Sequence, residues 1–246
     1  MAGISVEYYT RLERGSATGA SEDVLDAIAQ ALQLDDAERA HLFDLARTVS
    51  SSRAPRRPAK HDRVRPMVQR IIDAMPDQPA YARNGRLDVL AANRLGAALY
   101  TPLFDDPARP VNVARFIFLN PRAGEFFVDW ETMANDAVAI LRAEAGRDPY
   151  DKRLSDLIGE MSTRSDDFRV RWAAHNVKLS CTSVKTLHHP VVGAVTLTYE
   201  ALQVANDPGQ TVFVYAAEPG TPSAEALGLL ASWAATPAES AERPLP

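Results

Sequence analysis

Three residues near position 172 have types and spacing suited to gripping a small polar group. His175 follows Arg171 by four residues and Trp172 by three, so on a helix the imidazole would stand beside both the guanidinium and the indole. Such a trio could hold a ligand carboxylate or hydroxyl through charge-assisted hydrogen bonds. The imidazole could equally cap the end of its helix, and both readings stay open. Around the trio the chain is rich in rings: Phe116, Phe118, Phe126, Phe127, Trp130 and Phe168. Each ring taken alone reads as core. Together they fit the apolar walls of a small-molecule cavity carrying a few polar anchors. Asn93, Arg115, Arg171 and His175 are the candidate anchors, and Phe118, Trp130 and Trp172 the candidate walls.

The sequence adds none of the groups that would turn such a cavity into an active site. No glycine-rich phosphate loop, Gly-x-Ser-x-Gly elbow or His-Glu-x-x-His pair occurs. The expectation is therefore no enzyme, no catalytic residue, no cofactor and no metal. His188 and His189 are adjacent, so on a strand they point to opposite faces, and Pro190 suggests an edge or a turn. Cys181 is the single cysteine; it excludes an internal disulfide, fits a reducing compartment and reads as a small buried residue. The N-terminus carries no secretory signal, and no apolar run is long enough to cross a bilayer, which makes a cytoplasmic, soluble protein the expectation. The formal charge of −5 argues against a surface coated in basic residues, but leaves room for a local DNA-binding unit. At 246 residues, 46% hydrophobic and 24% charged, the chain can build one large domain or two modest ones.

Positioning falls to two groups of elements. Ser5 is a natural N-cap for a short helix from Val6 to Arg14, ending at Gly15. Ser21 caps a second, with Val24, Leu25, Ile28, Ala29 and Leu32 on one stripe. Asp35 begins a third, with Glu38 at capping-box spacing. Tyr9, Leu12, Leu25, Ile28 and Phe43 should form one small cluster between them. From Val49 to Arg65 the composition shifts: Arg53, Arg56, Arg57, Lys60, Arg63 and Arg65 face only Asp62 among serines and prolines. This stretch reads as a solvated linker, or as a linker that adds salt-sensitive phosphate contacts. The expected division is a helical unit over 1–48, a basic linker over 49–65, a second domain over 66–235 and a flexible tail over 236–246.

In the second domain a helix is expected from Pro66 to Met75, then a hairpin whose Asn84-Gly85 pair suits a two-residue type I′ turn. Helices follow at Asn93 to Tyr100, at Trp130 to Ala145 closing at Gly146, around Leu154 to Met161, and from a Ser165 cap through Trp172. Strands are expected over Lys178 to Leu187, Gly193 to Val204 and Thr211 to Ala217, before a last helix from Pro222 to Trp233. Strands, helices, strands and a helix make an α+β arrangement.

The run VEYYTRLERG, followed by SEDVLDAIAQALQLDDAERAHLFDLA from Ser21 to Ala46, resembles the Cro/repressor-type (XRE) helix-turn-helix carried by MmyB-like regulators. YARNGRLDVLAAN, ARFIFLNP, DWETMANDAVAILRAEAGRDP, RWAAHNV, HPVVGAVTL and YAAEPGTPS resemble the ligand-binding domain of the same family, in the same order. The resemblance implies a PAS-like domain, with a five-stranded antiparallel sheet and helices covering one face. It also implies a transcription regulator that senses a small apolar molecule, fatty-acid-like or a secondary metabolite. The helix from Val6 would then enter the major groove of a double-stranded operator. Val6, Glu7, Tyr8, Thr10 and Arg11 would lie on the groove side, with Ser5 and Arg14 near phosphates; Arg is the type that best reads guanine edges. The family normally supplies two further helices before Gly3. The helix-turn-helix is accordingly expected to be partial and its operator binding weak or lost. The alternative is a ligand-binding or protein-interaction module that has lost DNA binding. Two-fold operators mirror dimeric proteins, so a homodimer is expected.

Overall fold

Local capping and apolar stripes set the N-terminal helices α1 (Val6–Glu13), α2 (Glu22–Ala31) and α3 (Asp36–Ser50). The computed structural model describes residues 5–13, 20–50, 63–174 and 183–235. Ser21 caps α2, its hydroxyl accepting from the Val24 amide. Before α3 the capping box forms with Asp in the cap: Glu38 N donates to Asp35 Oδ1 at 2.9 Å and Asp35 N donates to Glu38 Oε2 at 2.8 Å. Leu25 and Ile28 are buried, while Leu12 and Phe43 are half-buried; the side chain of Tyr9 and most of the basic linker lie outside the described residues. Val49 and Ser50, expected in that linker, continue α3 instead.

The second part opens with α4 (Pro66–Asp73), β1 (Ala80–Arg83) and β2 (Val89–Ala92). Six helices follow: α5 (Arg94–Leu99), α6 (Thr101–Phe104), α7 (Val113–Leu119), α8 (Ala123–Phe126), α9 (Trp130–Arg147) and α10 (Lys152–Arg164). Then come α11 (Asp166–Ala173), β3 (Val184–His189), β4 (Gly193–Gln203), β5 (Thr211–Ala216) and α12 (Pro222–Ala235). The strands form one sheet in the order β2-β1-β5-β4-β3, every pair antiparallel. Tyr81 is opposite Phe213, and Tyr199 opposite Tyr215.

Strand alternation gives the two faces different duties. Tyr81, Phe213, Tyr215, Leu197, Val195 and Leu187 point into the main core, where Phe116, Leu141, Met161 and Phe168 come from the helices. Ala80, Ala82 and Val212 point the other way, against Val68 and Ile72 of α4. The helical layer therefore covers one face as expected, and α4 adds a small second core on part of the other. Two adjustments to the sequence reading have clear causes. The β1–β2 hairpin forms, but its connection is longer than two residues. Asn84 Oδ1 accepts from the amides of Arg86 and Asp88, both at 3.0 Å, Leu87 N donates to Asn84 O, and Leu87 takes φ 66°. Left-handed backbone is costly for leucine, and here it places a side chain only 2% exposed in the core. Gly85 serves close approach rather than positive φ, because a Cβ there would stand 2.1 Å from Glu144 Oε2. The second adjustment is at Gly146, which does not end α9; the helix runs through it to Arg147.

Candidate ligand site

The expected wall residues do meet. Phe118 of α7 packs edge-on against Phe168 of α11 (centroids 5.1 Å apart) and Trp130 of α9 (6.2 Å), and Trp172 stacks on Phe168 at 5.6 Å. The Trp130 indole N–H donates to Ile117 O. Arg171 lies over Trp130, 5.1 Å from its centroid, and pairs with both Glu131 and Asp167 while donating to Asn135 Oδ1. Its charge is already matched by two carboxylates. His175 lies outside the described residues.

The other two expected anchors are elsewhere. Asn93 caps α5, its Oδ1 accepting from Gly96 N at 2.7 Å and Ala80 N at 3.1 Å, while its Nδ2 donates to the carbonyls of Met75 and Gln78, both at 2.7 Å. An amide has two donors and two lone pairs, so Asn93 is fully used in joining α5 to β1. Arg115 pairs with Glu160 at 2.9 Å on the rim of a groove of about 530 Å³. Arg86 in the same groove bonds Asp88 at 3.1 Å and Asp151 at 2.9 Å. The groove is charge-balanced.

A second ring cluster, on the inner sheet face, was not anticipated. Tyr81 stacks on Phe213 at 5.3 Å and meets Tyr100 edge-on at 5.3 Å, and Tyr199 tilts against both Phe213 and Tyr215. The Tyr100 hydroxyl donates to the Tyr215 hydroxyl at 2.8 Å in a buried setting. Burial pushes both phenols well above their ordinary range, so they stay neutral. Two cations reach over these rings. Arg83 sits 4.8 Å from the Phe213 centroid, and the Lys185 ammonium sits 5.1 Å from Tyr199 and 5.8 Å from Tyr215. Burial, reinforced by the Arg83 charge and only partly opposed by Asp136 of α9, lowers Lys185 to about 8. The sequence did carry a signal: Arg83 is two residues after the inward Tyr81, and Lys185 two before the inward Leu187. A charge at an inward strand position marks either an edge or a site.

His188 is exposed and His189 buried, as adjacency on a strand requires. His189 Nε2 meets Ala98 O at 2.9 Å and Nδ1 accepts from Val191 N at 3.2 Å, which fixes a neutral ring with its proton on Nε2. Burial lowers its pKa against the opposing pull of the Ala98 carbonyl. Among the described residues no group of His, Cys, Asp and Glu could hold a metal ion, and no helix is long and apolar enough to cross a membrane.

Ser5, just before α1, is exposed, as are Glu7 and Arg11 on the helix, and Thr10 is half-buried. The side chains of Val6 and Tyr8, and all of Arg14, lie outside the described residues. Helix α3 packs on α9, and its contact explains Gly146: a Cβ there would stand 2.6 Å from His41 Cε1 and 2.8 Å from His41 Nδ1. His41 Nδ1 is buried without a hydrogen bond, and Arg142 of α9 interacts with the ring by charge.

A helical unit thus packs on a sheet-and-helix domain whose core is rich in rings. Residues 64–230 match the MmyB-like transcription regulator ligand binding domain, and residues 1–42 match a helix-turn-helix domain. The chain belongs to the MmyB-like transcription regulators, and its two parts make it a ligand-responsive DNA-binding regulator. No curated protein matches it.

Proposed function

We propose that a small molecule with a largely apolar body binds between the inner sheet face and the helices, and that its occupancy changes how the helix-turn-helix meets an operator. The observation carrying this reading is that α9 serves both places. Asp136 on α9 acts electrostatically on Lys185 and Tyr199 at the ring-lined sheet face, and Gly146 on the same helix receives His41 of α3. The ten helical steps from Asp136 to Gly146 span about 15 Å of continuous helix. A ligand that favours one setting of α9 would bias the seating of α3 by the difference in its affinity for the two settings. The protein would act in the cytoplasm, as a homodimer on a two-fold site, with Ser5, Glu7, Thr10 and Arg11 on the DNA side.

Selection from a random pool of duplex DNA, at about 0.1 M salt so that phosphate attraction does not mask base reading, tests the first half. One symmetric sequence should be enriched. Mobility shifts with that sequence, before and after co-purifying small molecules are stripped by denaturation and refolding, test the second half, and affinity should change between the two forms. No enriched sequence would leave a ligand-binding or interaction module. An enriched sequence with affinity unmoved by stripping would remove the sensing role.

A further inference from the structure

Among the described residues three buried side-chain atoms lack a hydrogen-bond partner: Gln210 Oε1, His41 Nδ1 and Arg142 Nε. The last two lie on the two sides of the contact between α3 and α9, near enough for the Arg142 charge to act on the His41 ring. The ring sits over Gly146, one turn after Arg142 on α9. Arg142 is only 9% exposed. The Trp172 ring covers its guanidinium at 4.3 Å, and one terminal nitrogen donates to the Trp172 carbonyl. Arg86, Arg115 and Arg171 each have a carboxylate, but among the described residues Arg142 pairs with none. A desolvated guanidinium without a counter-charge is costly.

We propose that Arg142 and His41 form a site for one compact monoanion, a halide or the carboxylate of a one- or two-carbon acid, held between α3 and α9 and fastening the helical unit to the ligand-binding domain. The site is separate from the ring-lined sheet face and stands whether or not a small molecule enters the domain. Arg142 Nε–H donates and brings a permanent charge. A protonated His41 donates from Nδ1 and adds a second charge, and such charge-assisted bonds are about twice as strong as neutral ones. A water could accept from Arg142 and donate to a neutral ring, but it would leave the guanidinium charge unmatched. The carboxylates nearby on the packed helices are committed elsewhere: Glu144 of α9 to Arg147, and Asp26 of α2 to Arg39. Asp44, on α3 itself, acts on the ring less strongly than Arg142 does. A methyl on Gly146 would already stand 2.6 Å from the ring, so the space between the helices suits a small ion and excludes a bulky one.

Proton linkage gives the site a signature. Burial and the Arg142 charge hold His41 below its ordinary pKa, with Asp44 opposing. An anion between the two cations raises it again. Binding therefore takes up a proton, and affinity rises as pH falls from neutral to mildly acid. The bound anion opposes the loosening of α3 that protonation of His41 causes when the site is empty.

The test uses the full chain without DNA. The probes are sodium chloride and sodium formate, with sodium gluconate as an anion too bulky for the site, all at about 0.1 M ionic strength. Chloride NMR line broadening reads binding, and amide hydrogen exchange read peptide by peptide reads the seating of α3. At about pH 6 the protein should broaden the chloride line and formate should reverse the broadening. Both anions should slow exchange of α2 and α3 several-fold relative to gluconate, with α7 and α10 unchanged, and the slowing should shrink at least about twofold at about pH 8. If only one of them acts, the site stands and takes that class of anion alone. Arg142→Met, which keeps an apolar stem against Trp172, should abolish the broadening and make exchange of α3 equal in the three salts. His41→Gln keeps a hydrogen-bonding group that does not titrate, and should retain a broadening that no longer grows as pH falls. Equal exchange in all three salts with no chloride broadening would put a water between the nitrogens and overturn the proposal. Broadening that survives in Arg142→Met, which would mark an ion held adventitiously at the surface, or a pH trend that survives in His41→Gln, overturns it as well.

Discussion

Substituting Gly146 by alanine should loosen α3 from the ligand-binding domain without weakening the domain itself. Gly146 lies in the last turn of α9, where alanine is favoured over glycine by at most about 1 kcal/mol, so on helix propensity alone the change is stabilising. Packing acts in the opposite direction. The added methyl would stand 2.6 Å from His41 Cε1 and 2.8 Å from Nδ1, with Leu45 Cδ2 at 3.6 Å behind it. Ordinary carbon contacts lie near 3.5–4.0 Å, so α3 or its imidazole must retreat by about 1 Å. Overpacking of this kind costs about 1–3 kcal/mol. The propensity gain stays with α9 whether or not α3 is seated, whereas the clash exists only when it is. The expected result is a loss of about 1–2 kcal/mol in the seating of α3, a factor of about 5–30 in local opening. Amide hydrogen exchange read peptide by peptide would show it, with α2 and α3 exchanging faster and the peptides of α7 and α10 unchanged or slower. His41→Ala in the same chain should restore protection, giving a coupling well above the roughly 0.5 kcal/mol scatter of independent sites. Unchanged exchange of α3 in Gly146→Ala, or effects of the two substitutions that simply add, would refute the close approach as the cause of the glycine.

Two further outcomes follow from charges that have little room to adjust. Burial, with Arg142 adding to it and Asp44 opposing, holds the His41 imidazole below its usual pKa; a group depressed in the folded state is protonated first where it is undocked, so seating of α3 should be full above about pH 6.5 and weaken as pH falls below it. Exchange of α3 measured between neutral and mildly acid pH checks this, and His41→Gln should flatten the dependence. Arg86→Met should destabilise the ligand-binding domain by about 3–5 kcal/mol, because it leaves Asp88 and Asp151 without the guanidinium that joins them inside the hairpin; urea unfolding reads this directly, and a loss under about 1 kcal/mol would count against a buried network that holds the hairpin to α10.

The elements were legible wherever a local rule decides them. Ser21, Ser165 and the Asp35–Glu38 pair cap the helices they were expected to cap, and the alternation in β4 and β5 falls on the correct faces. Long-range contacts were not legible. Gly146 has the composition of a helix stop, and only the arrival of His41 from another part of the chain shows why a glycine stands within the last turn instead. Asn84-Gly85 has the composition of a tight turn, but a buried group of Asn84, Arg86, Asp88 and Asn112 competes for the backbone and lengthens the loop. The contact among Phe118, Trp130, Phe168 and Trp172 was legible because one stretch concentrates rings. The inner-face cluster was missed because its members, one or two per strand, are contributed by β1, β3, β4 and β5 and come together only through the strand order.

The cations that lack a carboxylate are informative as a set. Arg83 and Lys185 lie at the sheet face that Asp136 of α9 influences, and Arg142, on α9 itself, is covered by the Trp172 ring at 4.3 Å, donates to the Trp172 carbonyl and leaves its Nε unpartnered. Elsewhere the domain spends carboxylates freely on exposed arginines such as Arg164 and Arg169, so negative charge is not scarce. Leaving desolvated cations unmatched costs stability in the empty state. Such costs persist at sites where a second state relieves them. In this fold they fall around the helix that contacts α3. A ligand bound at the sheet face would act on α9 near Asp136, while α3 seats on the same helix at Gly146. On the proposed reading a ligand and the helical unit meet on one helix, and the desolvated cations around it are where the empty protein gives up stability.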